Sequence, residues 1–313
     1  VGKEINKSHG IEVDNNSRLG GFLIIITIFL IFFYSNYFQS FSLLFENFYF
    51  YLIVLIAITL LGLTDDLLGR LGHLIRLYFN IFAIFILLYT NSIFLFQNTN
   101  VELINSILSI KFLSFSLTIL IIAGFINASN IADGANGILS GISAISLFVF
   151  YLVSGEILYF IFFEILLFFF IYNILIGKVY LGDAGSYFLG FLISTNALYL
   201  YNMDSITAGL LACILSYPSL EVLMTITRRL VKINNPFLPD NYHLHNLVHN
   251  ILKKNQFLIV SSNSLTGIII LCLFSLPGLI FYLLFQFNFN NFYWLIFITQ
   301  FIIYLIIYFR IKV

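Results

Sequence analysis

At 313 residues, 61% hydrophobic and only 9% charged, with a mean hydropathy of +1.02, the chain is too apolar for a soluble domain. Its formal net charge is zero, so no overall basic or acidic character points to a nucleic-acid partner. The two cysteines, Cys213 and Cys272, lie in apolar runs and do not read as a disulfide framework.

The opening segment, VGKEINKSHGIEVDNNSRLGG, is polar, begins with Val, and lacks the apolar core of a signal peptide. The expectation is a chain that starts after a missing first span. Apolar runs follow at 20–38, 43–63, 77–96, 112–126, 137–153, 157–175, 188–201, 205–225, 258–285 and 290–309. Each is long enough to cross a bilayer, or nearly so, which gives about ten spans here and about eleven with the missing one. The short runs at 112–126 and 188–201 are expected to extend into the polar motifs beside them. No internal repeat and no soluble domain is evident. The predicted architecture is an all-α polytopic integral membrane bundle, with residues 1–313 as one domain.

Alternating the loops between spans puts every Lys and Arg on one side except Lys111, out of 14 in all. That side is cytoplasmic by the positive-inside rule. Asp65, Asp66, Asp133, Asp183 and Asp240 fall on the same side, whereas Glu46, Glu102, Glu156 and Asp204 scatter on the other. One-sided polar chemistry suits an enzyme with cytoplasmic active-site loops better than a transporter, whose ionisable groups should line the bilayer midplane. Glu164, inside a span, is the one transporter-like acid; the plainer expectation is a hydrogen bond to a neighbouring helix.

Four polar stretches carry the chemistry. Thr64-Asp65-Asp66-Leu67-Leu68-Gly69-Arg70 closes the second run. Adjacent carboxylates repel unless a proton or cation intervenes, and magnesium favours carboxylate oxygens together with substrate phosphates. Arg70 and Arg76 are candidate phosphate holders; a solvated helix end is the plainer reading. Asn127, Asn130 and Asp133 recur every three residues, so one helix face would carry all three. Amides both donate and accept, which suits a sugar or nucleobase, and Gly134 and Gly137 allow close approach; a glycine-rich turn is the alternative. Tyr180-Leu181-Gly182-Asp183-Ala184-Gly185-Ser186 exposes a carboxylate and backbone N–H groups to a phosphate or metal. Last, Arg228 and Arg229 precede Pro236-Phe237-Leu238-Pro239-Asp240 and the histidines His243, His245 and His249. Only His245 and His249 share a helix face and no cysteine completes a zinc site, so donation to a diphosphate is the favoured use.

Taken together, these stretches resemble the polyprenyl-phosphate N-acetylhexosamine-1-phosphate transferase family, nearly end to end. Lys7-Ser8-His9 and Ser17-Arg18-Leu19-Gly20-Gly21 stand where the family looks like R-x-H and P-R-x-G-G. Asp65-Asp66, Asn127-x-x-Asn130-x-x-Asp133-Gly134 and Gly182-Asp183-Ala184-Gly185-Ser186 match its next three motifs. Pro236 to Asp240 with His243-Leu244-His245 matches the branch using N-acetylglucosamine and argues against the muramoyl-pentapeptide branch. Departures are Asn136 where a second Asp is usual, Asn246 for a final His, Glu221 for an Asp, and Asn16-Ser17 before Arg18. They bear on the sugar more than on the reaction.

The resemblance implies transfer of a sugar 1-phosphate, foremost GlcNAc 1-phosphate, from a UDP-N-acetylhexosamine to undecaprenyl phosphate, with release of UMP. This would be the first membrane step of a cell-envelope glycan such as O-antigen, in a bacterial cytoplasmic (inner) membrane. It implies Mg²⁺, with Mn²⁺ as the alternative ion, and Asp183 as its ligand. Asp65 or Asp66 would position the lipid phosphate or take its proton, and Asp133 with Asn127 and Asn130 would grip the nucleotide or the metal shell. Gly182, Ser186, Asp240, Arg70, Arg76, His243 and His245 would complete substrate binding. Membrane lipid surrounds the chain, a homodimer is its candidate assembly, and no nucleic acid is expected.

Overall fold

The computed structural model describes residues 17–34, 47–69, 71–97, 99, 101–232, 242–254, 261–287 and 289–312. Arg70, Asp240 and the proline-bearing stretch before Asp240 lie outside the described residues, as does the Lys7-Ser8-His9 motif. The described residues form fourteen α-helices and a single isolated bridge, between Ser17 and Val179.

The axis of the bundle is helix α8, Gly182–Asn202, in which every residue from Ala184 to Leu198 is buried. A helix enclosed on all sides needs no amphipathic stripe, but its polar side chains must find partners inside. They do. Ser194 and Thr195 each donate to the carbonyl four residues back at 2.7 Å, and Asn196 Nδ2 does the same to Leu192. Asn196 Oδ1 accepts from Tyr159 at 2.7 Å, which ties α8 to α7, Ile157–Ile176.

Around α8 stand α1 (Gly20–Tyr34), α2 (Phe48–Leu68), α5 (Lys111–Ala132) and α6 (Ile138–Ser154), while α3 (His73–Thr90) packs on α2 and α5. Small residues set these approaches. A Cβ placed on Gly190 would lie 2.8 Å from the Cα of Ile126 in α5, and one on Gly62 would lie 2.5 Å from the carbonyl of Asp183. In lipid the drive to associate comes from such close packing, since the tails are as apolar as leucine. A short helix α4, Glu102–Leu108, precedes α5 at the far end.

Both predicted late spans prove to be broken. The run at 205–225 is α9 (Ala208–Ile214) and α10 (Ser216–Lys232), bent by 78°. The run at 258–285 is α12 (Ser262–Phe274) and α13 (Leu276–Phe285), bent by 41°. Pro218 and Pro277 each fall in the first turn after a break, where the missing N–H is not needed. The two breaks also satisfy each other. Ser216 Oγ donates to the Phe274 carbonyl at 3.0 Å, and Ser275 Oγ donates to Ile214 at 2.8 Å. Gln300 of the last helix, α14 (Asn290–Lys312), donates to both Phe274 and Cys213. Between α10 and α12 lies a short histidine-bearing helix, α11 (Leu244–Leu252).

Among the described residues, five helices are long and apolar enough to cross a bilayer, or up to seven if each bent pair is one span. The chain is therefore a polytopic membrane protein. Runs 112–126 and 188–201 do extend into their motifs, as α5 and α8. Glu164 differs from expectation: its side chain is exposed on a groove of about 550 Å³ between α1 and α7 and makes no hydrogen bond among the described residues.

The glycine contacts give a paired prediction. Gly190→Ala should lower the melting temperature, at a cost of about 1–3 kcal/mol for overpacking. Gly124→Ala, on α5 with open space around the new Cβ, should be neutral or slightly stabilising. Equal effects in thermal denaturation of the purified protein would contradict the packing described.

Candidate active site

Four helix termini converge at one end of the bundle: the C-termini of α2 and α5 and the N-termini of α3 and α8. Asp65 and Asp66 sit in the last turn of α2, which Gly69 ends in the left-handed conformation (φ +60°). Asp66 is buried and faces the start of α8. Its Oδ1 accepts from the Asp183 N–H and its Oδ2 from the Ala184 N–H, both at 2.9 Å. A carboxylate there meets the unpaired N–H groups and positive end of α8. Gly182 opens that helix at φ +71°, and a Cβ on it would stand 2.7 Å from Asp66 Oδ2. The GDAGS motif thus needs its first glycine for both conformation and clearance.

Asp65 turns the other way. Its Oδ1 accepts from the Leu71 N–H at 3.1 Å, and its Oδ2 lies 2.7 Å from Arg76 Nη1. The same Nη1 lies 2.8 Å from Asp183 Oδ2, so one guanidinium nitrogen joins two carboxylates carried by two helices. Adjacent residues of one motif therefore do different work: Asp66 builds the site and Asp65 lines it.

Asp133 follows the end of α5 at the cap position. Burial and the carboxylates of Asp183 and Asp66 push its pKa well above the ordinary aspartate range, and the Arg18 guanidinium offsets this only in part. Of its motif partners, Asn130 Oδ1 accepts from Ser186 Oγ at 3.3 Å, while Asn127 Nδ2 donates back to Ala123 at 2.7 Å. The face predicted from the three-residue spacing exists, but the Asn127 amide N–H is committed to its own helix.

The histidines reach the site from α11. His245 is buried, and its Nδ1 lies 2.8 Å from the Tyr217 hydroxyl. A Cβ on Gly134 would overlap His245 Nε2, so this histidine rests on the turn directly after Asp133. Burial lowers its pKa to about 3, which keeps it neutral at physiological pH. His243 pairs with Glu221 at 2.9 Å, and His249 Nε2 lies 3.1 Å from Ser262 Oγ. The three histidines serve three different partners. Among the described residues no three His, Cys, Asp or Glu side chains are grouped to hold a metal ion.

Asn136 lies elsewhere. It is buried, its N–H donates to Asn263 Oδ1 at 2.9 Å, and its Nδ2 donates to Ser264 Oγ at 3.1 Å. Beside it, Asn173 Oδ1 accepts from the Gly137 N–H at 2.6 Å and Asn173 Nδ2 donates to Val179. The amide at 136, where an acid is usual, thus sits within a buried amide network. Asn246 is buried on α11, and its Oδ1 has no partner among the described residues.

Residues 48–201, from α2 through α8, match the family described as Glycosyl transferase family 4. The undecaprenyl-phosphate alpha-N-acetylglucosaminyl 1-phosphate transferase of Thermotoga maritima is 32% identical to this chain, over 81% of the chain and 74% of that protein. The chain belongs to glycosyl transferase family 4. Two further relatives align over less. A probable undecaprenyl-phosphate N-acetylglucosaminyl 1-phosphate transferase of Bacillus subtilis is 30% identical over 42% of this chain and 40% of its own length. The Escherichia coli K12 undecaprenyl-phosphate alpha-N-acetylglucosaminyl 1-phosphate transferase is 27% identical over 43% and 40%. The matched span of family 4 holds Asp65, Asp66, Arg76, Asn127, Asn130, Asp133, Asp183 and Ser186, whereas His243 and His245 lie beyond it. Sequence reasoning missed Tyr217 as a partner of His245, and nothing in its local pattern signals that contact.

The raised Asp133 pKa fixes a pH dependence. The fold favours its neutral form, so its contribution to stability is complete below the ordinary aspartate pKa and is lost as pH rises through the raised value. In EDTA, Asp133→Asn should melt higher than the native protein at pH 8, with the gap closing toward pH 4. A gap that does not change with pH would contradict the electrostatic environment described.

Proposed function

We propose that this chain transfers GlcNAc 1-phosphate from UDP-GlcNAc to undecaprenyl phosphate and releases UMP, at the cytoplasmic face of a bacterial cytoplasmic membrane. The observation that carries the reading is the meeting of Asp65, Asp66, Asp133 and Asp183 with Arg76 at one end of the bundle, in a family member whose relatives bear that name. A transporter would need such acids at midplane depth; here they stand at helix termini.

Both substrates are anions, and so is the site. Four carboxylates face Arg76 and Arg18 among the described residues, and burial first, then the carboxylates of Asp183 and Asp66, hold Asp133 toward its neutral form. A hard divalent cation fits that donor set, because Mg²⁺ is commonly held by one or two carboxylates together with substrate phosphates rather than by a closed protein cage. Asp183, in the first turn of α8, would hold it, and Asp133 would contribute to its shell. When bound, the ion would neutralise charge on the diphosphate and stabilise the departing UMP.

The chain's own residues do the rest. Asp66 fixes the start of α8 and thereby aims Asp183. Arg76 now shares one nitrogen between Asp65 and Asp183, and an arriving phosphate would accept from the same guanidinium. Asp65 would then place the lipid phosphate, and take its proton where it carries one, as an oxygen of that phosphate attacks the β-phosphorus. The new O–P bond forms as the bond to the UMP oxygen breaks. Asn130, Ser186 and His245 line the donor side.

The test is transfer of radiolabel from UDP-GlcNAc into lipid by the purified chain supplied with undecaprenyl phosphate, with and without Mg²⁺. Magnesium-dependent labelling with UMP as co-product is expected; UDP as co-product, or no transfer from any UDP-N-acetylhexosamine, would overturn the reading. Asp183→Ala should abolish transfer. Asp65→Asn should cost at least about 100-fold in kcat with an unchanged melting temperature. Asp66→Asn should lower activity and melting temperature together, and the reverse pattern for the pair would refute the roles given.

A further inference from the structure

Glu221, on α10, is fully buried, and a buried carboxylate costs several kcal/mol unless its lone pairs are met. Three donors from three directions meet them. His243 Nδ1 lies 2.9 Å from Oε1, the Leu244 N–H donates to Oε2 at 3.1 Å, and the Tyr304 hydroxyl of α14 donates to Oε2 at 2.9 Å. Leu244 is the first residue of α11, so this one side chain both caps the histidine-bearing helix and holds the residue before it.

The consequence reaches His245. The His243 backbone is extended (φ −69°, ψ 143°), and its ring lies parallel to that of His245, with centroids 5.4 Å apart and planes within 4°. Glu221 grips the outer ring of this stack. Tyr217, one turn earlier on α10, lies 2.8 Å from Nδ1 of the inner ring. In the tautomer whose Nδ1 accepts from the tyrosine, the neutral imidazole carries its proton on Nε2, and Nε2 is the atom resting on Gly134 beside Asp133.

We infer that Glu221 is a positioning residue: through His243 and the first turn of α11 it seats His245 so that Nε2–H stands ready to donate to an oxygen of the nucleotide-sugar diphosphate. Identification of that oxygen rests on the transferase reading above; the seating itself does not. Glu221 touches no substrate, and its effect passes through the stacked rings.

The experiment uses the purified full chain and reads His245 modification by diethylpyrocarbonate, peptide by peptide, well below the melting temperature of each variant. Native His245 should be protected, Glu221→Gln should raise its modification at least about tenfold, and Glu221→Asp should keep most of the protection. In the same preparations Glu221→Gln should raise KM for UDP-GlcNAc by about tenfold or more while leaving KM for undecaprenyl phosphate unchanged. Continued protection of His245 in folded Glu221→Gln would overturn the inference, as would an equal rise in both KM values. If Glu221→Gln does not fold, Tyr304→Phe removes one of the three donors and should give a smaller rise in modification; no rise would count against the inference. Labelling requires no turnover, so a chain inactive toward UDP-GlcNAc would still reveal whether Glu221 seats His245.

Discussion

The carboxylate of Asp66 joins the last turn of α2 to the first turn of α8, with one oxygen on each of two successive backbone N–H groups. Hydrogen bonds to an ionised group contribute about 1.5–3 kcal/mol each, and this pair also meets the positive end of a helix. Geometry around the joint is correspondingly tight. Gly62 on α2, Gly21 on α1 and Gly182 itself all stand where a Cβ would strike backbone or the Asp66 carboxylate. The first turn of α1 is pinned to the same place, with the Gly20 and Gly21 N–H groups donating to the Tyr180 and Leu181 carbonyls at 2.9 and 3.0 Å. Three helices are thus indexed to one carboxylate, and Asp183 inherits its position from them.

That indexing creates an electrostatic demand. Bringing Asp65, Asp133 and Asp183 near Asp66 concentrates negative charge where the side chains are largely withdrawn from water. Arg76 meets two of the four acids, while burial, and after it the carboxylates of Asp183 and Asp66, raise the pKa of Asp133. That demand is what the proposed cation, and the phosphate it would carry, would answer. In the proposed reading, neutral partners for the sugar and base would come from Asn130, Ser186 and His245, beside the charged groups.

Much of this was legible in the sequence because each motif combines a helix-terminus signal with an acid. Asp65-Asp66 before Gly69, Asp133 before Gly134 and Asp183 after Gly182 all read as polar ends of apolar helices, and all three are. What the sequence could not express is direction. Adjacent residues on a helix point about 100° apart, so Asp65 and Asp66 diverge, one to Arg76 and one to backbone N–H groups. The spacing of Asn127 was right, but a mid-helix amide can satisfy itself on the carbonyl four residues back. Asn136 reads as a lost acid until Asn263, far away in sequence, is seen holding its N–H. The broken spans were hidden because hydropathy runs straight through Leu215 and Ser275, whereas the kinks depend on side chains from other helices capping the freed carbonyls.

The most direct test of a cation-dependent phosphoryl-transfer site is Mn²⁺ binding, followed by electron paramagnetic resonance on EDTA-stripped protein in detergent with UDP-GlcNAc present. The account predicts a single bound Mn²⁺ in the native chain, lost in Asp183→Asn without a fall in melting temperature and retained in His249→Gln. Equal Mn²⁺ uptake by the native protein and Asp183→Asn, or none by either, would contradict it.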